Sequence, residues 1–148
     1  MRYAIAFLVT TFSVIFNAYA EEQKLADFIG NFDYDTRIEM KAGARELGDL
    51  LQEGKAQWVD IRFKEEYEAW HMGFGTNIRL NELPDRLNEL DEDKIIVTAC
   101  PHKDRAIITM TYLKTKGYNT MYLKDGLIGL AELLRGDNEK DFIADMPR

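Results

Sequence analysis

The apolar positions of this chain change period several times, and each change marks an element. In "KAGARELGDLLQEGK", Ala44, Leu47, Leu50 and Leu51 recur at helical spacing and Gly54 supplies a stop, so a helix with one buried face is predicted. "QWVDIR" is a compact strand ending in charge, and "KEEYEAW" is a short helix that packs Tyr67 and Trp70. "HMGFGTNIRL" reads as loop and short strand, with Gly73 and Gly75 permitting tight turns. "NELPDRLNEL" reads as one short helix that tolerates Pro84 in its first turn, where a missing N–H breaks no helical bond. "KIIVTA" is continuous and β-branched, as expected of a strand covered on both faces. "RAIITMTYLKTKG" is an amphipathic helix closed by Gly117, "NTMYLK" a further strand, Asp125-Gly126 a turn and "LIGLAELLRG" a last helix. Upstream, "RIEM" makes a short edge strand, and residues 21–36 form an irregular arm with a helical piece at "EEQKLADFI". Strands alternating with helices of this length predict an α/β domain with an open parallel sheet. Ligands of such sheets sit outside the carboxyl ends of the strands.

The first twenty residues follow a different pattern. Met1-Arg2 is a short positive start, Tyr3 to Phe16 is mostly apolar, and Asn17-Ala18-Tyr19-Ala20 ends in small residues before Glu21-Glu22. This order describes a secretory signal peptide cleaved after Ala20; the alternative is an uncleaved membrane anchor. No cysteine lies near the cleavage box, which excludes a lipoprotein anchor. The expected organisation is a signal peptide at 1–20, an N-terminal arm at 21–36 and one domain at 37–148. The mature protein would then be periplasmic or secreted, without stable membrane insertion after processing. The net charge of −7, with acidic residues scattered along the chain, argues against nucleic acid as a partner.

The chain has a single cysteine, so no internal disulfide can form, and stability must come from the core. That cysteine, Cys100, stands at the end of the "KIIVTA" strand and is followed by Pro101, His102, Lys103, Asp104 and Arg105. A thiol between a strand end and a helix start faces the helix's free N–H groups. With Lys103 and Arg105 nearby, these favour the thiolate, which is the nucleophile. A chain turning around a sulfur also makes a cradle of amides suited to an anion. The bland alternative is a small core cysteine capping a strand. Taken together, the basic cluster and the helix start predict a Cys100 with a depressed pKa.

Three segments in order resemble the rhodanese family of sulfurtransferases, the thiosulfate-type single-domain proteins. "WVDIRFKEEYEAWHMGFGTNI" resembles its first signature, with Asp60 and Arg62 at the D-x-R and His71, Gly75, Asn77 and Ile78 in the following segment. "IIVTACPHKDRA" resembles the strand and six-residue active loop, and "YNTMYLKDGLIGLAEL" the closing strand, turn and helix. The resemblance implies a rhodanese-like open parallel sheet with helices on both faces, a three-layer α/β/α domain. It implies that Cys100 accepts a sulfane sulfur as a persulfide and that Arg105 holds an anionic donor, with Pro101, His102, Lys103 and Asp104 lining the substrate loop. Asp60, Arg62 and His71 would be supporting residues. No metal or organic cofactor is implied.

The sequence also departs from the family pattern. Lys103 stands where the loop usually has glycine, which would limit access to positive φ, and Pro101 removes one amide from the cradle. The leading expectation is sulfur transfer from thiosulfate, polysulfide or a persulfide to a thiol or cyanide acceptor, with an exported sulfur-acceptor protein as a further candidate partner. A non-catalytic rhodanese-like binding or sensing module is the alternative. A cysteine-dependent phosphatase or arsenate reductase fits less well, because only four residues separate Cys100 from Arg105.

Overall fold

The computed structural model describes residues 22–145. The expected signal peptide at 1–20 lies outside them. The chain divides into two compact units at Asp33–Tyr34. In the first, helix α1 covers 22–30, and Asn31 closes it by donating from backbone and side chain to the Asp27 carbonyl. Among the described residues, no helix is long and apolar enough to cross a membrane.

The second unit is an α/β domain on a five-stranded parallel sheet, with helices on both faces. The strands are β1 (Lys41–Ala42), β2 (Ala56–Asp60), β3 (Thr76–Asn77), β4 (Ile95–Ala99) and β5 (Thr120–Leu123), in the order β1-β5-β4-β2-β3. Every paired neighbour runs parallel. The helices are α2 (Tyr34–Glu39), α3 (Ala44–Gln52), α4 (Lys64–Ala69), α5 (Asp104–Lys116), α6 (Gly126–Leu133) and α7 (Asp137–Ala144). Successive strand residues face opposite sides of the sheet, so the sheet builds two cores. On one side, Trp58, Val97 and Ala99 pack with Leu47 and Leu51 of α3 and Leu127 and Leu130 of α6. On the other, Val59, Ile96 and Cys100 pack with Ala106 and Leu113 of α5. Val97 and Ile96 are both fully buried, which is why "KIIVTA" carries no alternation.

Several local expectations change. Residues 37–39 of "RIEM" belong to α2, a helix that buries no residue. The chain reaches the sheet only at Met40, whose carbonyl accepts from Tyr122 N–H at 2.9 Å, so the edge strand starts at Lys41. "NELPDRLNEL" is two 3-10 turns, Leu83–Asp85 and Leu87–Glu89, because Arg86 between them leaves the helical region at φ −120° and ψ 19°. Trp70 is not packed by α4. It ends that helix at φ −165°, is 43% exposed, and lies under the Arg62 guanidinium at 4.4 Å. Helix α7, which the hydrophobic pattern did not announce, is anchored by Phe142, whose ring meets Phe74 at 5.1 Å and closes over Gly48.

The register carries these elements to the site. Asp60 of β2 is level with Ala99 of β4, so the last residues of the two central strands end side by side. Cys100 is the next residue. Gly117, in the left-handed conformation at φ 94°, stops α5, and its N–H reaches the Lys114 carbonyl.

Candidate active site

Cys100 sits at the carboxyl end of β4, where the chain turns into α5. The turn is held from below by Thr98, whose buried hydroxyl donates to the Ala106 carbonyl at 2.9 Å and so ties the strand to the first turn of the helix. From the side it is held by α6, since Leu127 N–H donates to the Cys100 carbonyl at 2.9 Å. The backbone N–H groups of Ala106, Arg105 and His102 act on the thiol as hydrogen-bond donors that favour its anion. Two belong to the first turn of α5, whose N–H groups have no partner within the helix. The amide lost at Pro101 is not one of the three.

The protonation expectation is overturned. Cys100 is fully buried, and burial pushes its thiol up from the ordinary cysteine value. The hydrogen bonds from Ala106, Arg105 and His102 oppose that shift without reversing it, and the Asp104 carboxylate adds to it. The thiol lies 3.6 Å from Asp104 Oδ1, the carboxylate oxygen placed to accept its hydrogen bond. Although burial raises the Asp104 carboxyl, its own N–H, that of Arg105 and the Cys100 thiol hold it below the ordinary carboxylate value. Asp104 is therefore an anion beside the sulfur.

Arg105 is on the loop, but its guanidinium is occupied. Nη1 and Nη2 donate to Glu66 Oε2 and Oε1 at 2.6 and 2.7 Å, and the group lies over the Phe63 ring at 5.7 Å. Each partner reinforces the other's charge: the Arg105 hydrogen bonds lower the Glu66 carboxyl, and the Glu66 carboxylate raises Arg105. His102 and Lys103 are exposed and Pro101 is half-buried. Lys103 has φ −159° and ψ −16°, an extended φ open to any side chain. No non-glycine residue among those described has positive φ, so lysine at the family's glycine position is not held in the left-handed conformation.

The supporting residues separate into two groups. Asp60 and Arg62 form a buried ion pair, with Arg62 Nη2 donating to Asp60 Oδ2 at 2.7 Å and Nε to both carboxylate oxygens at 3.0 Å. Arg62 also donates to the Trp70 carbonyl at 2.9 Å, and Asn77 bridges the carbonyls of Asp60 and Arg62. This network fixes the turn from β2 into α4, the helix that carries Glu66. His71 is remote from this work. It is exposed, stacked on Tyr67 at 4.2 Å, with Nδ1 2.9 Å from the Tyr67 carbonyl.

Two residues at the site escaped the sequence reading. Glu66 meets Arg105 across 39 positions, and only a fold can bring them together. Gly126 was legible only as half of a turn. Its φ is 64°, and a Cβ there would stand 2.3 Å from the His102 carbonyl oxygen and 2.4 Å from that of Pro101. Only glycine lets α6 come so close to the cysteine loop.

The rhodanese-like domain family model matches residues 43–132, which include the strands β2 to β5, the cysteine loop and all but the last residue of α6. The chain belongs to the rhodanese-like domain family. It is 28% identical to the thiosulfate sulfurtransferase GlpE of Pseudomonas syringae over 88 residues, 60% of this chain and 83% of that protein. Among solved structures, it is 25% identical to a rhodanese-like domain protein from Staphylococcus aureus, with a TM-score of 0.56 over 61% of this chain and 89% of the other. It is 26% identical to reduced CoADR-RHD of Bacillus anthracis, with a TM-score of 0.58, and covers 64% of this chain but only 17% of that longer one. The family includes proteins named as sulfurtransferases, and the central parallel sheet with its flanking helices matches the rhodanese-like fold.

Proposed function

We propose that this rhodanese-like chain is a sulfurtransferase that carries a sulfane sulfur on Cys100. The observation that supports this reading best is the position of Cys100 between the end of β4 and the first turn of α5, where the His102, Arg105 and Ala106 N–H groups favour its anion. Fixed amides of this kind stabilise an anion without reorganising, and both a thiolate and the terminal sulfur of a persulfide are anions.

The resting group is a thiol, so its proton must leave before attack. Asp104, whose Oδ1 lies 3.6 Å from the sulfur, accepts the hydrogen bond of the resting thiol, and the proton is lost to solvent as the thiolate forms. With thiosulfate as donor, the Cys100 thiolate attacks the outer sulfur, the new S–S bond forms, and the donor's S–S bond breaks with its electron pair leaving on sulfite. An acceptor thiolate or cyanide then attacks the outer persulfide sulfur and Cys100 leaves as thiolate. Polysulfides and low-molecular-weight persulfides fit the same two displacements. The intermediate is covalent, so donor and acceptor should show ping-pong kinetics, with parallel double-reciprocal lines. Intersecting lines would contradict a free persulfide form of the enzyme.

A second reading, a non-catalytic binding module, is favoured by a specific observation: Cys100 is fully buried and protonated, and Arg105 is already paired. Sulfite release from thiosulfate, abolished in Cys100→Ser, separates the two. Residues 1–20 are read as a cleaved signal peptide, which places the activity in the periplasm or outside the cell. An N-terminus at Glu21 in the exported protein supports that assignment, and Met1 retained in membranes contradicts it.

A further inference from the structure

We propose that Glu66 sets the affinity of this site for anionic sulfur donors, by occupying the guanidinium fork of Arg105 that a donor's oxygens would otherwise use. The inference rests on the sulfurtransferase reading and adds to it a specificity-determining residue on a different element. The geometry is that of a bound anion. Both carboxylate oxygens of Glu66 face both Nη groups of Arg105, at 2.6 and 2.7 Å, which is the two-point contact guanidinium makes with planar oxyanions. The carboxylate is also held independently of Arg105, because Phe63 N–H donates to Glu66 Oε2 at 3.2 Å. The rigid Asp60–Arg62 network sets the turn that presents α4. Glu66 is thus an intramolecular competitor already in place.

The pair is open to competition from solution. The Arg105 and Glu66 side chains are 23% and 36% exposed, so a dissolved anion can reach the fork. What it meets is a loop whose positive charge is largely cancelled: Glu66 neutralises Arg105, and Asp104 places a second carboxylate 3.6 Å from the sulfur. A dianion such as thiosulfate must displace one carboxylate and approach another. The site as built therefore binds small dianionic donors weakly, and Glu66 is the larger part of the reason, because it competes for the same donors.

The test is steady-state sulfur transfer from thiosulfate by the full chain in four forms: wild type, Glu66→Gln, Arg105→Ala and the double variant. Glu66→Gln keeps the shape of the side chain and removes its charge, so KM for thiosulfate should fall roughly two- to fivefold, the range for losing a partly exposed charged pair. Glu66→Ala should shift KM in the same direction. In the Arg105→Ala background, Glu66→Gln should leave KM unchanged, because no fork remains to release. A helix-bracing role for Glu66 would move stability and kcat but would not make the KM effect depend on Arg105. An unchanged or raised KM in Glu66→Gln, or a fall that persists without Arg105, overturns the inference. Intact mass of each protein at saturating thiosulfate separates the two levels: a sulfur adduct on Cys100 without the KM pattern overturns this inference alone, and no adduct on any form overturns the sulfurtransferase reading with it.

Discussion

The backbone of Gly126 lies against the carbonyl of His102 so closely that a Cβ would stand 2.3 Å from the oxygen. The contact joins the turn after β5 to the cysteine loop, and the neighbouring Leu127 N–H completes the joint by donating to the Cys100 carbonyl. Gly126→Ala should therefore destabilise the domain by about 1–2 kcal/mol from the left-handed backbone alone. The overlap with two carbonyls adds to that. Because the loop must shift to relieve it, sulfur transfer should fall more than stability does. Urea unfolding and transfer rates on the same preparation check this; a variant with wild-type stability would contradict the packing described.

Asp60 and Arg62 make the second prediction. Both are buried, and they pair with each other at 2.7 Å. Arg62→Leu would strand a carboxylate in the core, and removing one member of a buried pair costs about 3–5 kcal/mol. Arg62→Lys should recover only part of this, since one ammonium cannot reproduce the fork on Asp60 and the bond to the Trp70 carbonyl. The urea midpoint of the two variants gives the comparison. A loss below about 1 kcal/mol in Arg62→Leu, the level of an exposed pair, would show that the network is not a structural brace.

Burial raises the pKa of Cys100, which sets the sign of its pH dependence. Alkylation of Cys100 should be slow at neutral pH and climb through a midpoint above that of a free cysteine in the same buffer. In folding terms, the native state holds the proton more tightly than the unfolded chain does. The associated stability is complete below the unfolded thiol's pKa and is lost as pH rises through the higher folded value. Thermal midpoints on the alkaline side should therefore decline more steeply in wild type than in Cys100→Ser. An alkylation midpoint at or below the free-cysteine value would contradict the described burial.

The parts of this site that were legible in the sequence are the local ones. A β-branched run, a cysteine and an amphipathic stretch ending in Gly117 fixed the strand, the turn and the helix, because each depends on neighbours within a few positions. The N–H donors that favour the anion followed from that order alone. The charge state did not, because a sequence counts charges without showing their partners. Lys103 and Arg105 read as an attracting cluster, yet Arg105 is bound to a carboxylate 39 positions earlier and the sulfur is buried by residues from β2, β4 and α5. The misplaced elements share a cause of their own. At 37–39 the chain is helical because the sheet edge is reached only at Lys41, and at Arg86 a single residue outside the helical region splits one expected helix into two turns.

The central claim, that Cys100 carries sulfur, is tested most directly by intact mass of the purified protein after exposure to thiosulfate or polysulfide. Wild type should gain one sulfur atom, removed by cyanide or a thiol acceptor, and Cys100→Ser should gain none. An unmodified wild-type mass at saturating donor, or the same adduct on Cys100→Ser, would contradict it.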